Sequence, residues 1–384
     1  MERLLKKYNI DAGGADYSAY YVKAKDALVG GGAEIMNFEK YGIFTYMKDD
    51  IAKIRDELLT DADNALYCYF LAEAVKADDK KAIGIISKPK WELESELYDT
   101  LPLFGLLWCV PDMIAAHKRL GIPDDVTVAT CGMFENQIQD YINLNHRYGI
   151  STYCVWMSLF LNCKIFRIGR FNLELMKCRF KYDVFESGDK LAIMPKDEAF
   201  HASGYALGSA GYEDADGSFV ANLTETDEYF EGCPIVGGLC QRERVRLYKN
   251  EWTRVLTEGD DIVSVHIPSG GAMSPDVCDA DLARGNEIIS RCIVKPKAFF
   301  CCSWLLDGQL EGIIGKPTNI TRFGDRFERF PIKDSGASVF EYVFMTSPDT
   351  PIDELPETNS LTKAIKKHLK SGGHIYETRG VFLV

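Results

Sequence analysis

The stretch 261-DIVSVHIPSGGAMSPDVCDADLARGNEII-289 reads as a strand, a glycine turn and a helix. Ile262 to Ile267 is β-branched and apolar, with one histidine near its end. Pro268-Ser269-Gly270-Gly271 breaks the strand. Ser274-Pro275 then has the pattern of a helix N-cap followed by proline at the first helical position. A helix that opens just after a glycine turn offers backbone N–H groups and the positive end of its dipole. That combination suits an anion such as a phosphate or pyrophosphate. A tight strand–helix connection that binds nothing has the same pattern.

Outward from this segment the chain divides in two. Residues 1–150 carry helical periodicity. The segment 61-DADNALYCYFLAEAVKADD-79 repeats its apolar residues at helical spacing after an acidic start. The region 94–123 is similar, with Pro102 and Pro111 expected to kink or divide it. A further helix is expected over 124–149, with Gly149 as its C-cap, and another over 151–163. From 164 the pattern changes. The segment 164-KIFRIGRFNLELMKCRF-180 alternates like one long strand. Short runs at 190–195, 218–223 and 244–249 suggest an antiparallel sheet. A hairpin or surface insertion is expected at 201–217, a buried strand at 297–304 and a short helix at 304–314. A strand-like run at 319–332, a helix around 335–346 and a helix over 360–373 complete the reading. The fold class is therefore α+β: a helical domain over 1–160, then a mixed α/β domain over 161–384 with a C-terminal helical extension.

At 384 residues the chain can bury ample core in about two domains. Its net charge of −13 disfavours general binding to nucleic acid or anionic membranes. The first residues lack the apolar segment of a signal peptide, and no run of about 18 apolar residues occurs, so no membrane span is expected. The twelve cysteines are scattered through apolar runs without a CxxC pair. They are expected to be reduced thiols in a cytoplasmic protein, and no metal site is expected, because Cys and His do not cluster at ligand spacing.

Strand geometry sorts the residues that could carry chemistry. Ile262, Ser264 and His266 share one face of their strand. His266 lies at its C-terminal end beside the glycine turn, where binding and catalytic groups often sit in α/β folds. It is a candidate general base or acid, or a histidine hydrogen-bonded in the core. Arg170, Asn172 and Glu174 share a face with Phe166 and Ile168, which suggests a pocket wall. Glu174 could be a base made less acidic by burial, or the partner of Arg170 in a simple ion pair. Ser303 could cap a helix that begins at Trp304, and Trp304 could be core. Without a GxSxG elbow, support for Ser303 as a hydrolase nucleophile is weak. Cys301 or Cys302 would need an adjacent base to serve as one. Asp307 completes this third group.

Taken together, four segments resemble a known family. HIPSGG at 266–271, SWLLDGQL at 303–310 and NITRF at 319–323 are similar to the HIPAGG, SWLLDPQL and NIVRF motifs of bacterial acyltransferases. IFRIGRFNLEL at 165–175 is similar to the family's FRLGRLQFEL. The motifs keep their order, and the resemblance covers roughly residues 35 to 380. Those proteins join a helical N-acyltransferase N-terminal domain to a GNAT-like C-terminal domain. The resemblance implies a splayed strand, a turn and a helix that hold the pyrophosphate of an acyl-CoA, with the turn 268–275 in the matching place. The [RQ]xxGx[GA] signature of ordinary GNAT enzymes is absent. Gly270-Gly271 and Ser274-Pro275 stand there instead.

The expectation is an N- or O-acyltransferase that uses acyl-CoA or acetyl-CoA and a small-molecule acceptor. His266 or Glu174 would be the base, with Ser303 and Asp307 as further catalytic candidates. Gly270, Gly271, Ser274 and Trp304 would hold the cofactor, and Arg170 and Asn172 the substrate. The alternatives are a non-catalytic protein that binds a small metabolite in the same cleft, and a hydrolase of a small ester or glycoside. The hydrolase would use Glu174 with a second carboxylate.

Overall fold

The computed structural model describes residues 1–31, 41–88, 96–268 and 270–384. They form two compact units, Met1–Gly169 and Arg170–Val384. Residues 94, 95 and Ser269, which belong to expected elements, lie outside the described residues.

The first unit is built around the helix Ala62–Lys76. Asp61 caps it by accepting the Asp63 N–H at 2.8 Å. Tyr67, Phe70, Leu71 and Val75 have no exposed surface. A helix apolar on all sides must be surrounded, and Ser18–Gly31, Lys80–Ile86 and Leu101–Leu107 pack around it. Gly105 allows one close crossing, because a Cβ there would lie 2.7 Å from the Cys68 carbonyl oxygen. Leu97–Leu120 is long and apolar enough to cross a membrane by length and composition, yet most of it is buried as core. Pro102 and Pro111 divide it as expected, each at the start of a helix, Leu101–Leu107 and Val110–Leu120. Among the described residues the first strand is Ile165–Ile168.

Two expectations for this unit change. The region 124–149 is two helices, Asp124–Cys131 and Met133–Asn145, meeting at Gly132. The second ends on His146 in the left-handed conformation, not on Gly149. Gly149 has another reason to be glycine: a Cβ would lie 2.3 Å from the Tyr141 ring.

The second unit has a main sheet. Its strands run in the order Phe171–Lys177, Asp261–His266, Ala298–Ser303, Thr378–Leu383, Glu328–Pro331. Asp261–His266 and Ala298–Ser303 are parallel, with the helix Pro275–Cys292 as the crossover between them. The other pairings are antiparallel. One sheet face carries Ile262, Ala298, Phe300, Phe330 and Val381. It is buried against the residues between 178 and 256, which form four small antiparallel sheets. On the other face the crossover helix packs on Phe171–Lys177. Gly285 lies so close there that a Cβ would meet Leu173 Cδ1 at 2.2 Å.

Several strand readings are corrected. The expected long strand over 164–180 is broken at Gly169, whose φ of 52° turns the chain. Phe166 and Ile168 therefore do not continue the face of Asn172 and Glu174. The first half of 319–332 is a helix, Asn319–Gly324, and only Glu328–Pro331 is a strand. Thr318 and Thr321 close a reciprocal capping box that starts this helix. The helix expected around 335–346 is one π-helical turn, Phe340–Phe344. Of the apolar end VFLV, Val381, Phe382 and Leu383 belong to the strand Thr378–Leu383, and Val384 is exposed beyond it.

Candidate active site

The two parallel strands stop pairing before they end. Their register runs Ile262↔Ala298, Val263↔Phe299 and Ser264↔Phe300, then ceases. Yet one strand continues to His266 and the other to Ser303. The sheet is therefore split open at this end, and main-chain groups along the gap are released from the ladder to meet a ligand. Binding sites in open sheets of this kind lie outside the carboxyl ends of parallel strands.

His266 ends the strand on one side of the gap, and Glu174 lies on the next strand beyond it. Glu174 is opposite Ser264 and His266 is opposite Asn172, so the two are diagonal neighbours on one face. His266 Nε2 lies 2.9 Å from Glu174 Oε2. Their side chains are 36% and 21% exposed, so the pair is open to a reactant. With Glu174 as the acceptor, His266 Nε2 is the donor in this contact, and Nδ1 is the ring nitrogen that does not face Glu174. Glu174 is thus tied to a histidine and not to a second carboxylate, which is not the pairing a glycosidase needs. Asn172 is buried at 3% exposure, and its Oδ1 has no hydrogen-bond partner among the described residues.

Above the gap lies the glycine turn. Gly270 and Gly271 have φ of 72° and 76°, a conformation glycine adopts without strain. Ser274 occupies the N-cap position and Pro275 begins the helix, but the serine side chain makes no capping bond. Arg170 runs beneath Gly271: a Cβ on that glycine would be 3.3 Å from Arg170 Cδ. The arginine is buried at 8% exposure, its backbone N–H donates to Asp281 at 2.7 Å, and burial lowers its pKa. Arg326 reaches the same helix start, donating to the Pro275 carbonyl at 3.1 Å and to Asp279 at 2.6 Å. One guanidinium group thus lies against the turn and a second against the first residues of the helix that follows it, and cations beside a helix N-terminus suit phosphate oxygens.

Across the gap, register places Cys302 on the same sheet face as His266, with Arg379 opposite it on the next strand. Cys302 alone among the twelve cysteines is exposed, and all twelve are free thiols. Desolvation of its sulfur, then the nearby Glu377 carboxylate, push the thiol up to about 11. It is therefore poorly placed to be a thiolate nucleophile.

The remaining candidates hold structure. Ser303 accepts the Leu305 N–H at 3.2 Å and caps the short helical turn Trp304–Leu306. Trp304 packs against the cluster that includes Leu310, Val339, Phe344 and Ile365. Asp307 is buried, accepts the Gln309 N–H at 2.9 Å and the Tyr376 N–H at 2.8 Å, and so ties this turn to the C-terminal strand. Among the described residues no group of three or more His, Cys, Asp or Glu could hold a metal ion. Sequence reasoning missed Arg326 and Glu377, and weighed Cys302 only as a nucleophile. Only register and the approach of the 319–331 segment to the helix reveal them, although 322-RFGDRFER-329 marks a dense run of charge.

Comparison with known proteins gives the same architecture. The family model described as a GNAT-like C-terminal domain matches residues 165–382. The model described as an N-acyltransferase N-terminal domain matches residues 38–163. No curated protein matches. Among solved structures, an acyltransferase in complex with decanoyl-CoA and teicoplanin superposes with a TM-score of 0.65 at 17% identity, over 100% of this chain and 98% of that one. An acyltransferase with CoA and 10C-teicoplanin gives 0.64 at 17% identity over 100% and 98%. An acyltransferase with decanoyl-CoA gives 0.63 at 16% identity over 100% and 99%. At such identities the likeness is one of fold.

Proposed function

The chain belongs to the family that joins an N-acyltransferase N-terminal domain to a GNAT-like C-terminal domain, and from that premise we propose that it is an acyl-CoA-dependent N- or O-acyltransferase for a small-molecule acceptor. The observation that carries the reading is the split between Asp261–His266 and Ala298–Ser303, which opens beside the glycine turn and contains the His266–Glu174 pair. That solved proteins of this fold have been crystallised with CoA, decanoyl-CoA and octanoyl-CoA supports it. Twelve free thiols support a reducing, cytoplasmic setting.

In this mechanism the pyrophosphate lies on the Gly270–Gly271 turn, held by helix N–H groups and by Arg170 and Arg326. The thioester arm enters the gap, where main-chain groups beyond Ser264 and Phe300 meet its amides. An amine or hydroxyl of the acceptor attacks the thioester carbonyl. His266 Nδ1 takes the proton, while Glu174 orients the imidazole and stabilises its charged form. The new amide or ester bond forms as the carbon–sulfur bond breaks, and the CoA sulfur leaves as the thiol once the proton held by His266 is passed to it, which restores the base.

Thiol release from acetyl-, octanoyl- and decanoyl-CoA, measured against a panel of amines and alcohols, tests the reading. Acceptor-dependent release that disappears in His266→Ala is expected. Release without any acceptor would favour a hydrolase, and binding of CoA without release a non-catalytic protein.

A further inference from the structure

A second cavity lies farther along the same end of the sheet. It has a volume of about 240 Å³, and its lining includes Tyr205, Asp307, Gln309, Arg329, Tyr376 and Glu377. Two acidic residues belong to this lining, and among the described residues neither forms an ion pair. Asp307 accepts from two backbone N–H groups and an amide. Among the described residues the Glu377 carboxylate accepts a hydrogen bond from the Cys302 thiol alone, at 3.9 Å. Arg329, the one cation among these six, is already held by Asp325 at 2.9 Å. The walls include two aromatic rings, Tyr205 and Tyr376, with centroids 5.3 Å apart. Tyr212 stacks on Tyr205 at 4.2 Å and backs that wall. Burial raises the pKa of both carboxyl groups, and for Glu377 the neighbouring Asp334 adds to it. The positive charge of Arg379 acts on Glu377 more weakly than burial and Asp334 do, so partly desolvated carboxylates beside aromatic faces form a field that favours a cation.

We propose that this cavity binds a positively charged amine group, through Glu377 and the faces of Tyr205 and Tyr376. Under the acyltransferase reading, on which this part rests, that amine is the anchoring group of the acceptor and not the group that is acylated. Glu377 reaches Cys302, which shares a sheet face with His266. The Ser303 end of one strand pairs with Thr378 of the next, and the His266 strand lies beyond the split, so cavity and His266 are separated by at least two strand spacings, roughly 10 Å or more. An acceptor of that length, cationic at one end and nucleophilic at the other, would fill both places. An ammonium ion bound between carboxylate and aromatic groups is a poor nucleophile, so the two ends must be different groups.

The test uses the full chain with hexylammonium and tetramethylammonium ions as probes and hexanol as the neutral control. Binding is followed by saturation-transfer NMR. Saturable binding of the cations and not of hexanol is expected. Glu377→Gln and Tyr205→Leu should each weaken it by about tenfold or more, while His266→Ala leaves it intact. A Tyr205→Phe variant keeps the aromatic face and should retain binding. Equal binding of hexanol, or no loss in Glu377→Gln with the fold intact by circular dichroism, would overturn the proposal. CoA titration of the wild-type chain, beside its cation titration, separates the two readings. Cation binding without CoA binding leaves the cavity assignment standing and removes the acyltransferase reading. CoA binding without cation binding does the reverse.

Discussion

His266 and Glu174 meet diagonally across two antiparallel strands, with Nε2 and Oε2 2.9 Å apart at the point where the sheet opens. The strand pairing sets this contact. Loop flexibility plays no part in it, so the acid that orients the base is held in place before any reactant arrives. Removing the base should therefore act on chemistry and not on cofactor binding. His266→Ala is expected to lower kcat by about 10²–10⁴-fold, with little change in CoA affinity. Glu174→Gln keeps an acceptor but removes the charge, and should give a smaller loss in kcat. Steady-state kinetics on the best acceptor, beside CoA titrations of both variants, check the split.

The glycine turn has a steric test. Gly271→Val adds a β-branched side chain at φ of 76° with its Cβ against Arg170. Such a conformation costs on the order of 1–3 kcal/mol, and the displaced arginine should weaken CoA binding by tenfold or more, roughly the effect of one lost charge-assisted contact. Circular dichroism and thermal melting should show the native fold retained, since both glycines lie on the surface.

The crossover helix depends on a glycine of a different kind. Gly285→Val would press a side chain into Leu173, which has no exposed surface. Overpacking of this sort costs about 1–3 kcal/mol. Chemical denaturation should show a lower midpoint, and Leu173→Ala in the same chain should recover part of the loss.

Stability of the first unit should depend on pH through Glu135. Its carboxylate accepts the N–H groups of Thr45, Tyr46 and Met47 at 2.9, 2.9 and 3.0 Å, ahead of the helix Lys48–Leu58. Burial alone would raise this group, but the Thr45 hydroxyl and the three N–H groups outweigh it and hold the pKa below the ordinary value of 4.5. A depressed carboxyl contributes stability above its unfolded pKa, and the contribution is lost as pH falls through the folded value. Glu135→Ala should therefore cost about 1–3 kcal/mol at pH 7, and less as the medium is acidified below pH ~4.5. Denaturant melts of both proteins at pH 7 and pH 3.5 measure the difference.

Thiol accessibility follows from burial. All twelve cysteines should react under denaturing, non-reducing conditions. In the native protein Cys302 should react first, and slowly at pH 7, because its thiol is pushed up to about 11. A fast-reacting native thiol would contradict the assignment.

How much could be read before the fold was known depended on whether the signal was local. The strand–turn–helix over 261–292 was legible because its β-branched run, paired glycines and Ser-Pro start are all contiguous. The break at Gly169 was hidden, because alternation continues on both sides of the turn and only the glycine interrupts it. The helix Asn319–Gly324 carried a visible signal in Thr318 and Thr321, whose capping box outweighed the strand-like alternation of the following residues. His266 and Glu174 were each legible as candidates, but their pairing depends on the register of strands 92 positions apart. The same holds for Arg326 beside Pro275 and for Glu377 beside Cys302: contacts fixed by long-range topology leave no spacing to read.

The central claim is that the split sheet and its glycine turn bind acyl-CoA. Titration calorimetry of the full chain with decanoyl-CoA tests it most directly. The account predicts saturable binding of one equivalent, weakened in Gly271→Val and retained in His266→Ala. An absence of binding to the wild-type protein up to millimolar concentration would contradict it.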